Sequence, residues 1–218
     1  MISEAVYLEY LSNLLEGNKP KCSAIVEQLL KENVDPKELY EKLFKRSLER
    51  VGKLWESERI CGATEHMATA ITECLMSLTY PIISNTKKNG KKAVIACVPR
   101  EFHQVGAKMV ADVFEQHGWE SYFLGANTKV SELMKMLEEK KPEVLALSVS
   151  LYLNILRLKS TIEEVIRKYP DIEIIVGGRA FIEKKPDFLV NYSNVTFINS
   201  IGELEEFINS YQRVEKEG

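Results

Sequence analysis

The residues able to do chemistry are few, and the densest group is Glu101-Phe102-His103-Gln104-Val105-Gly106. An imidazole is a good ligand for a transition metal. A carboxylate two residues before it can accept the other ring N–H, which fixes the tautomer and raises the basicity of the ligating nitrogen. His103 is therefore the candidate metal ligand, with Glu101 as its partner. One protein nitrogen cannot hold a bare metal tightly, but it can supply an axial ligand to a metal whose other positions a macrocycle fills. The other histidines are His66, which follows Glu65, and His117, which reads as a helix C-terminal residue before Gly118. Cys22, Cys61, Cys74 and Cys97 lie scattered without a C-x-x-C pair, so neither a disulfide framework nor a zinc site has its spacing.

Whole-chain properties narrow the class. The sequence has 218 residues, 45% of them hydrophobic and 28% charged, with a net charge of −3. Residues up to and including Lys91 carry 13 basic and 13 acidic groups, and the remainder carry 16 and 19. Neither half offers the basic face or recognition helix that DNA requires, so no direct DNA binding is expected. The apolar runs fall short of the roughly 18 to 20 residues that cross a bilayer, and Met1-Ile2-Ser3-Glu4 begins no signal peptide. A cytoplasmic, non-membrane protein is expected.

The elements that must position the candidate residues divide into two groups. From Ile2 to about Ser84 the apolar period is helical. Ala5, Leu8, Leu11 and Leu15 suggest a first helix, and Ile25, Val26, Leu29 and Leu30 a second. Asp35, Pro36 and Glu38 read as the N-cap and first turn of a third, carrying Phe44, Leu48, Val51 and Trp55. Thr64 is expected to cap a fourth, which bears Met67, Ile71, Leu75, Leu78 and Ile82. Residues 1–84 thus form a four-helix bundle, and the polar, basic stretch 85–91 reads as a linker.

Beyond the linker, residues 92–218 alternate short β-branched runs at 93–98, 121–124, 144–149, 172–176 and 195–198 with helices near 105–117, 130–140, 153–169, 180–184 and 202–212. That alternation predicts a five-stranded parallel sheet of Rossmann or flavodoxin type, giving an α/β fold overall. Ligands of such sheets sit at the carboxyl ends of the strands. The Glu101–Gly106 stretch leaves the first strand there, with Ser148-Val149-Ser150 ending the third and Gly177-Gly178 the fourth. Dinucleotide glycines, a Walker loop and the acidic residues of a receiver domain are all missing from these positions.

These residues resemble the D-x-H-x-x-G, S-x-L and G-G signature of cobalamin-binding domains, with Glu101 for aspartate and Ser150 for leucine. The resemblance implies that His103 is the lower cobalt ligand and that Glu101 orients it. It also implies that Phe102, Gln104 and Gly106 lie along the cofactor, that Ser148 and Ser150 contact its nucleotide tail, and that Gly177 and Gly178 leave room for that tail. Trp55, followed after nine residues by Glu65-His66, is similar to the W-x9-E-H motif of CarH-type adenosylcobalamin photoreceptors. There the bundle covers the upper cobalt face, the tryptophan packs near the adenosyl group, and the Glu-His pair lines its pocket.

The expected cofactor is cobalamin, with adenosylcobalamin favoured over methylcobalamin. The expected function is a sensor that answers light by rearranging its cap rather than an enzyme; if an enzyme, it would be a corrinoid methyl-carrier subunit. Its output would be a change in self-association or in binding to a partner regulator. A corrinoid methyl carrier of a methyltransferase system is the alternative, with cobalamin storage or delivery behind it. Glu56 follows the tryptophan where such photoreceptors can place a histidine, so after photolysis water or His66 is expected above cobalt.

Overall fold

The Ser3 hydroxyl accepts a hydrogen bond from the Val6 amide at 3.3 Å and starts α1 (Glu4–Leu15) in the computed structural model, which describes residues 1–181 and 186–214. Asn18 caps α2 (Lys19–Lys31) by accepting from the Lys21 amide, with Pro20 in the first turn where its missing N–H costs nothing. Asp35 caps α3 (Pro36–Glu38) by accepting from the Lys37 amide, and α3 continues as a π-helical stretch, Leu39–Lys45, into α4 (Arg46–Glu56). After a short connection come α5 (Gly62–Met76) and, beyond a 3₁₀ turn, α6 (Tyr80–Ile83).

The sequence periods placed the helices well and their faces less well. In α1 the buried residues are Tyr7, Tyr10, Leu11 and Leu14, whereas Leu8 is exposed. The two tyrosines bring larger apolar areas than Leu8 and claim the inward face. The π-helical stretch, with its wider turn, changes the phase of α4, so Phe44 and Val51 are buried but Trp55 is not. Cys61, not Thr64, occupies the N-cap position of α5, and Met67 and Ile82 are exposed while Ala68, Ile71 and Leu75 are buried.

This helical unit covers Met1–Asn85, and a second unit covers Thr86–Gly218. The second is a five-stranded parallel sheet of β1 (Lys92–Cys97), β2 (Glu120–Gly125), β3 (Val144–Ser148), β4 (Glu173–Gly177) and β5 (Val195–Phe197), in the order β2-β1-β3-β4-β5. The connecting helices are α7 (Val105–Gln116), α8 (Val130–Lys140), α9 (Ile155–Lys168) and, at the end, α10 (Ile201–Val214). In place of the helix expected at 180–184 there is one 3₁₀ turn, Arg179–Phe181, and the rest of that expected helix lies outside the described residues.

Successive residues of each strand point to opposite faces, so both faces must be apolar. Val94, Ala96, Leu145, Leu147, Ile174 and Val176 pack on one side with Leu133, Leu158 and Ile162 from α8 and α9. Ala93, Ile95, Val144, Ala146 and Ile175 pack on the other with Ala107, Phe114, Leu204 and Ile208 from α7 and α10. Each fully buried Leu, Ile or Phe side chain contributes on the order of 1.5–3 kcal/mol. The register pairs Cys97 with Ser148 and Ser148 with Gly177, which brings the carboxyl ends of β1, β3 and β4 level. The strand order reverses between β1 and β3, and a crevice opens at such a point.

Candidate functional site

Glu101 bridges that crevice. It leaves the end of β1 and is completely buried, and its carboxylate accepts hydrogen bonds from both sides. Oε1 takes the His103 amide at 3.1 Å and His103 Nδ1 at 2.6 Å. Oε2 takes the Ser150 and Leu151 amides, each at 2.9 Å, and Asn154 Nδ2 at 3.2 Å. Burial by itself pushes a carboxyl pKa up. The bonds from His103, from the Leu151 and His103 amides and from the Ser150 amide outweigh it and bring Glu101 down to about 2. A buried, ionised Glu101 therefore holds the proton of His103 on Nδ1 and leaves the lone pair on Nε2, the form in which an imidazole binds a metal.

His103 itself is 54% exposed at its side chain, so its ring stands at the surface above a buried anchor. Phe102 beside it is 67% exposed. Leu151, Tyr152, Leu153 and Leu156, which follow β3, are exposed as well. A cluster of large apolar side chains in water is costly, and its usual meaning is a ligand or interface. Gly106, in the first turn of α7, has nothing within 4 Å of where a Cβ would stand, so that helix end is open.

Other expected site residues have roles inside the fold. Gln104 precedes α7, and its side-chain oxygen accepts the Ala126 amide at 3.0 Å, tying the loop to the end of β2. Ser150 contributes its backbone amide to Glu101, and the Ser148 carbonyl accepts from the Val98 amide at 3.2 Å. The glycine pair is required by the packing of the sheet unit itself. A Cβ on Gly177 would lie 2.8 Å from the Ile198 carbonyl oxygen, and one on Gly178, whose φ is +120°, would lie 2.1 Å from that of Val149. Both positions therefore exclude a side chain, because the chain's own backbone stands where a Cβ would be.

Asn154 was missing from the sequence reading. It is buried and donates to both Glu101 Oε2 and the Arg100 carbonyl. An asparagine six residues after Ser148 carries no signal alone, because it becomes meaningful only when the β3–α9 loop folds back over the β1 loop.

In the helical unit, Trp55 is 52% exposed although it lies on the apolar period of its helix. Its Nε1 lies 3.6 Å from the Cβ position of Gly62, at the first residue of α5. Glu65 is in the same helix's first turn. It accepts from the Thr69 hydroxyl at 3.1 Å and lies 3.7 Å from His66 Nε2. Tryptophan, carboxylate and imidazole thus share one end of the α4–α5 hairpin. Cys61, just before α5, is exposed, and the Thr64 hydroxyl and the amides of Thr64 and Ala63 lower its pKa.

Among the described residues no group of three His, Cys, Asp or Glu side chains could hold a metal ion. The donor set at the sheet edge is one oriented imidazole within an apolar surround, which fits a metal carried in a macrocycle. Comparison with known families gives the same answer, for the B12 binding domain family matches residues 91–206, from the start of the sheet unit into α10. The chain belongs to the B12 binding domain family. A second family, also described as a B12 binding domain, matches residues 7–78 of the helical unit.

Relatives of this B12 binding protein fall into two kinds. It is 27% identical over 120 residues to the HTH-type transcriptional repressor CarA of Myxococcus xanthus, covering 55% of this chain and 41% of that one. It is 24% identical over 184 residues to trimethylamine corrinoid protein 2 of Methanosarcina mazei, covering 80% of this chain and 83% of that one. The monomethylamine corrinoid protein of Methanosarcina barkeri shares the fold, with a TM-score of 0.81 at 14% identity over 94% of this chain and 98% of that one. Among the described residues no helix is long and apolar enough to cross a membrane.

Proposed function

We propose that this protein is a corrinoid carrier, holding cobalamin with His103 as the lower cobalt ligand and presenting the upper cobalt position to a methyltransferase. The observation that carries the ligand role is the 2.6 Å pairing of His103 Nδ1 with a buried, ionised Glu101. The carrier role is supported by the match to a trimethylamine corrinoid protein along most of both chains, where the match to CarA covers 41% of that protein. Bound cobalamin would supply a cobalt–carbon bond that can be made and broken. This chain's residues would bind and orient it. Glu101 fixes the imidazole, Asn154 and the loop amides fix Glu101, and the apolar side chains from Phe102 to Leu156 shield the ring system from water.

A second reading is an adenosylcobalamin sensor answering light through a change of self-association or partner binding. The exposed Trp55 beside Glu65 and His66 favours it, because a large indole left in water is well suited to pack on an adenosyl group.

Reconstitution with cobalamin tests both. His103→Ala should fold, lose the spectrum of histidine-ligated cobalt and retain cofactor less well; an unchanged spectrum removes His103 as the ligand. Similar affinities for methyl- and adenosylcobalamin, with one size-exclusion profile in darkness and under green light, support the carrier. A strong adenosyl preference with a light-dependent profile supports the sensor.

A further inference from the structure

The loop that carries the Glu101–His103 pair begins with a turn that its own sequence disfavours. The Glu101 amide donates to the Val98 carbonyl at 3.0 Å, closing a turn with Pro99 and Arg100 at its centre. Proline suits the first central position, but Arg100 in the second has φ +63°, the left-handed region that a turn of this kind normally gives to glycine or asparagine. Something outside the turn must hold it.

Two asparagines do so from opposite sides. From the β3–α9 loop, Asn154 Nδ2 donates to the Arg100 carbonyl at 3.2 Å. From the β2–α8 loop, Asn127 Oδ1 accepts the Arg100 amide at 2.8 Å, and the Asn127 amide donates to the Glu101 carbonyl at 2.7 Å. Asn127 is itself left-handed, with φ +50°, a conformation asparagine tolerates well. The next residue adds a third tie, from the Thr128 amide to the Cys97 carbonyl at 3.2 Å. Asn127 thus grips the two residues immediately before Phe102-His103 through its side chain and its backbone together.

We propose that Asn127 is a positioning residue for the lower cobalt ligand: by clamping Arg100 in its left-handed conformation it fixes the path of the chain at Glu101, and so the height and direction at which His103 is offered to cobalt. The inference rests on the reading of His103 as that ligand. It assigns to the β2–α8 loop, which supplies none of the expected site residues, control over how completely the imidazole coordinates. An imidazole displaced by a fraction of an ångström still sits at the surface, but it forms a longer and weaker metal bond.

The test uses the full chain loaded with methylcobalamin and reads the fraction of histidine-ligated cobalt from the visible spectrum, with affinity and thermal unfolding measured alongside. Asn127→Gly keeps the left-handed backbone and its amide but removes the clamp. It should fold, lose a substantial part of the histidine-ligated spectrum, and bind about fivefold more weakly, the worth of one hydrogen bond. Asn127→Asp keeps an oxygen for the Arg100 amide and should stay close to the parent. Adding Arg100→Gly to Asn127→Gly removes the need for a clamp and should restore most of the spectrum.

A parent-like spectrum in Asn127→Gly, or no recovery in the double variant, overturns the proposal. Should Asn127→Gly unfold, the Asn127→Asp and Arg100→Gly single variants decide: both must keep the parent spectrum, and loss in either overturns it. His103→Ala separates the two levels of the argument. If that variant leaves the spectrum unchanged, the ligand reading fails and the positioning role falls with it. If it abolishes the spectrum while Asn127→Gly does not alter it, only the positioning role fails.

Discussion

Glu101 and Asn154 meet across the strand-order reversal of the sheet, with Asn154 Nδ2 3.2 Å from Glu101 Oε2, so the carboxylate that orients His103 is anchored by the loop after β3, a strand that is not the sequence neighbour of β1. The same carboxylate serves five N–H groups on two loops. Local stability and the orientation of the His103 ring are therefore properties of one side chain.

Replacing Glu101 should accordingly damage both. Glu101→Ala leaves buried donors without an acceptor and should cost about 3 kcal/mol or more, read as a lowered denaturant midpoint. Because the folded-state pKa lies at about 2, below the ordinary 4.5, the stability contributed by this carboxylate is complete above roughly pH 4.5 and is lost as pH falls toward 2. The cofactor-free parent should lose stability across that window, and Glu101→Gln should flatten the loss. An equally steep acid profile in Glu101→Gln would show that other carboxylates dominate.

The glycines of the site should separate into two classes. Gly178→Ala places a Cβ 2.1 Å from the Val149 carbonyl oxygen on a left-handed backbone and should cost about 3 kcal/mol or more before any ligand is considered. Gly106→Ala meets nothing within 4 Å and lies in a helix, where alanine is favoured by about 0.5–1 kcal/mol. It should keep or raise thermal stability while weakening cobalamin binding, because the new methyl group stands on the open side. Isothermal titration alongside thermal melts distinguishes the two.

Trp55→Ala should be cheap for the fold, within about 1 kcal/mol, because the indole is half exposed. Under the sensor reading it lowers the preference for adenosylcobalamin over methylcobalamin. Under the carrier reading it leaves the ratio of the two affinities near that of the parent. Paired binding curves for the two cofactors give the answer.

Three of the four thiols should differ sharply in reactivity. Burial pushes Cys22 up to about 11, and burial with the Glu101 charge pushes Cys97 up to about 12, so both stay protonated and shielded. Cys61 is exposed, and its Thr64 partner favours the thiolate. Timed iodoacetamide labelling read by mass spectrometry should find Cys61 modified at least about tenfold faster than either buried thiol. Early labelling of Cys97 would mean that the β1 loop opens readily.

The sequence alone determined the helical unit followed by a parallel sheet, and the pairing of Glu101 with His103 at the end of its first strand. A buried strand must be apolar on both faces and a surface helix on one, and these periods survive without knowledge of the fold; the Glu101–His103 contact was legible because a local spacing encodes a local geometry. What lay beyond the sequence was every relation between loops. Asn127 and Asn154 are ordinary loop residues until strand order brings them onto Arg100 and Glu101. That Gly177 and Gly178 must lack a side chain follows from the carbonyls of Ile198 and Val149, which come from other segments and stand where a Cβ would be. Trp55 followed the apolar period of its helix, yet stands half exposed after a π-helical stretch that no period announced. Helices and strands are specified by repeats along the chain, whereas hydrogen bonds across a strand-order reversal depend on which distant segments the tertiary fold makes neighbours.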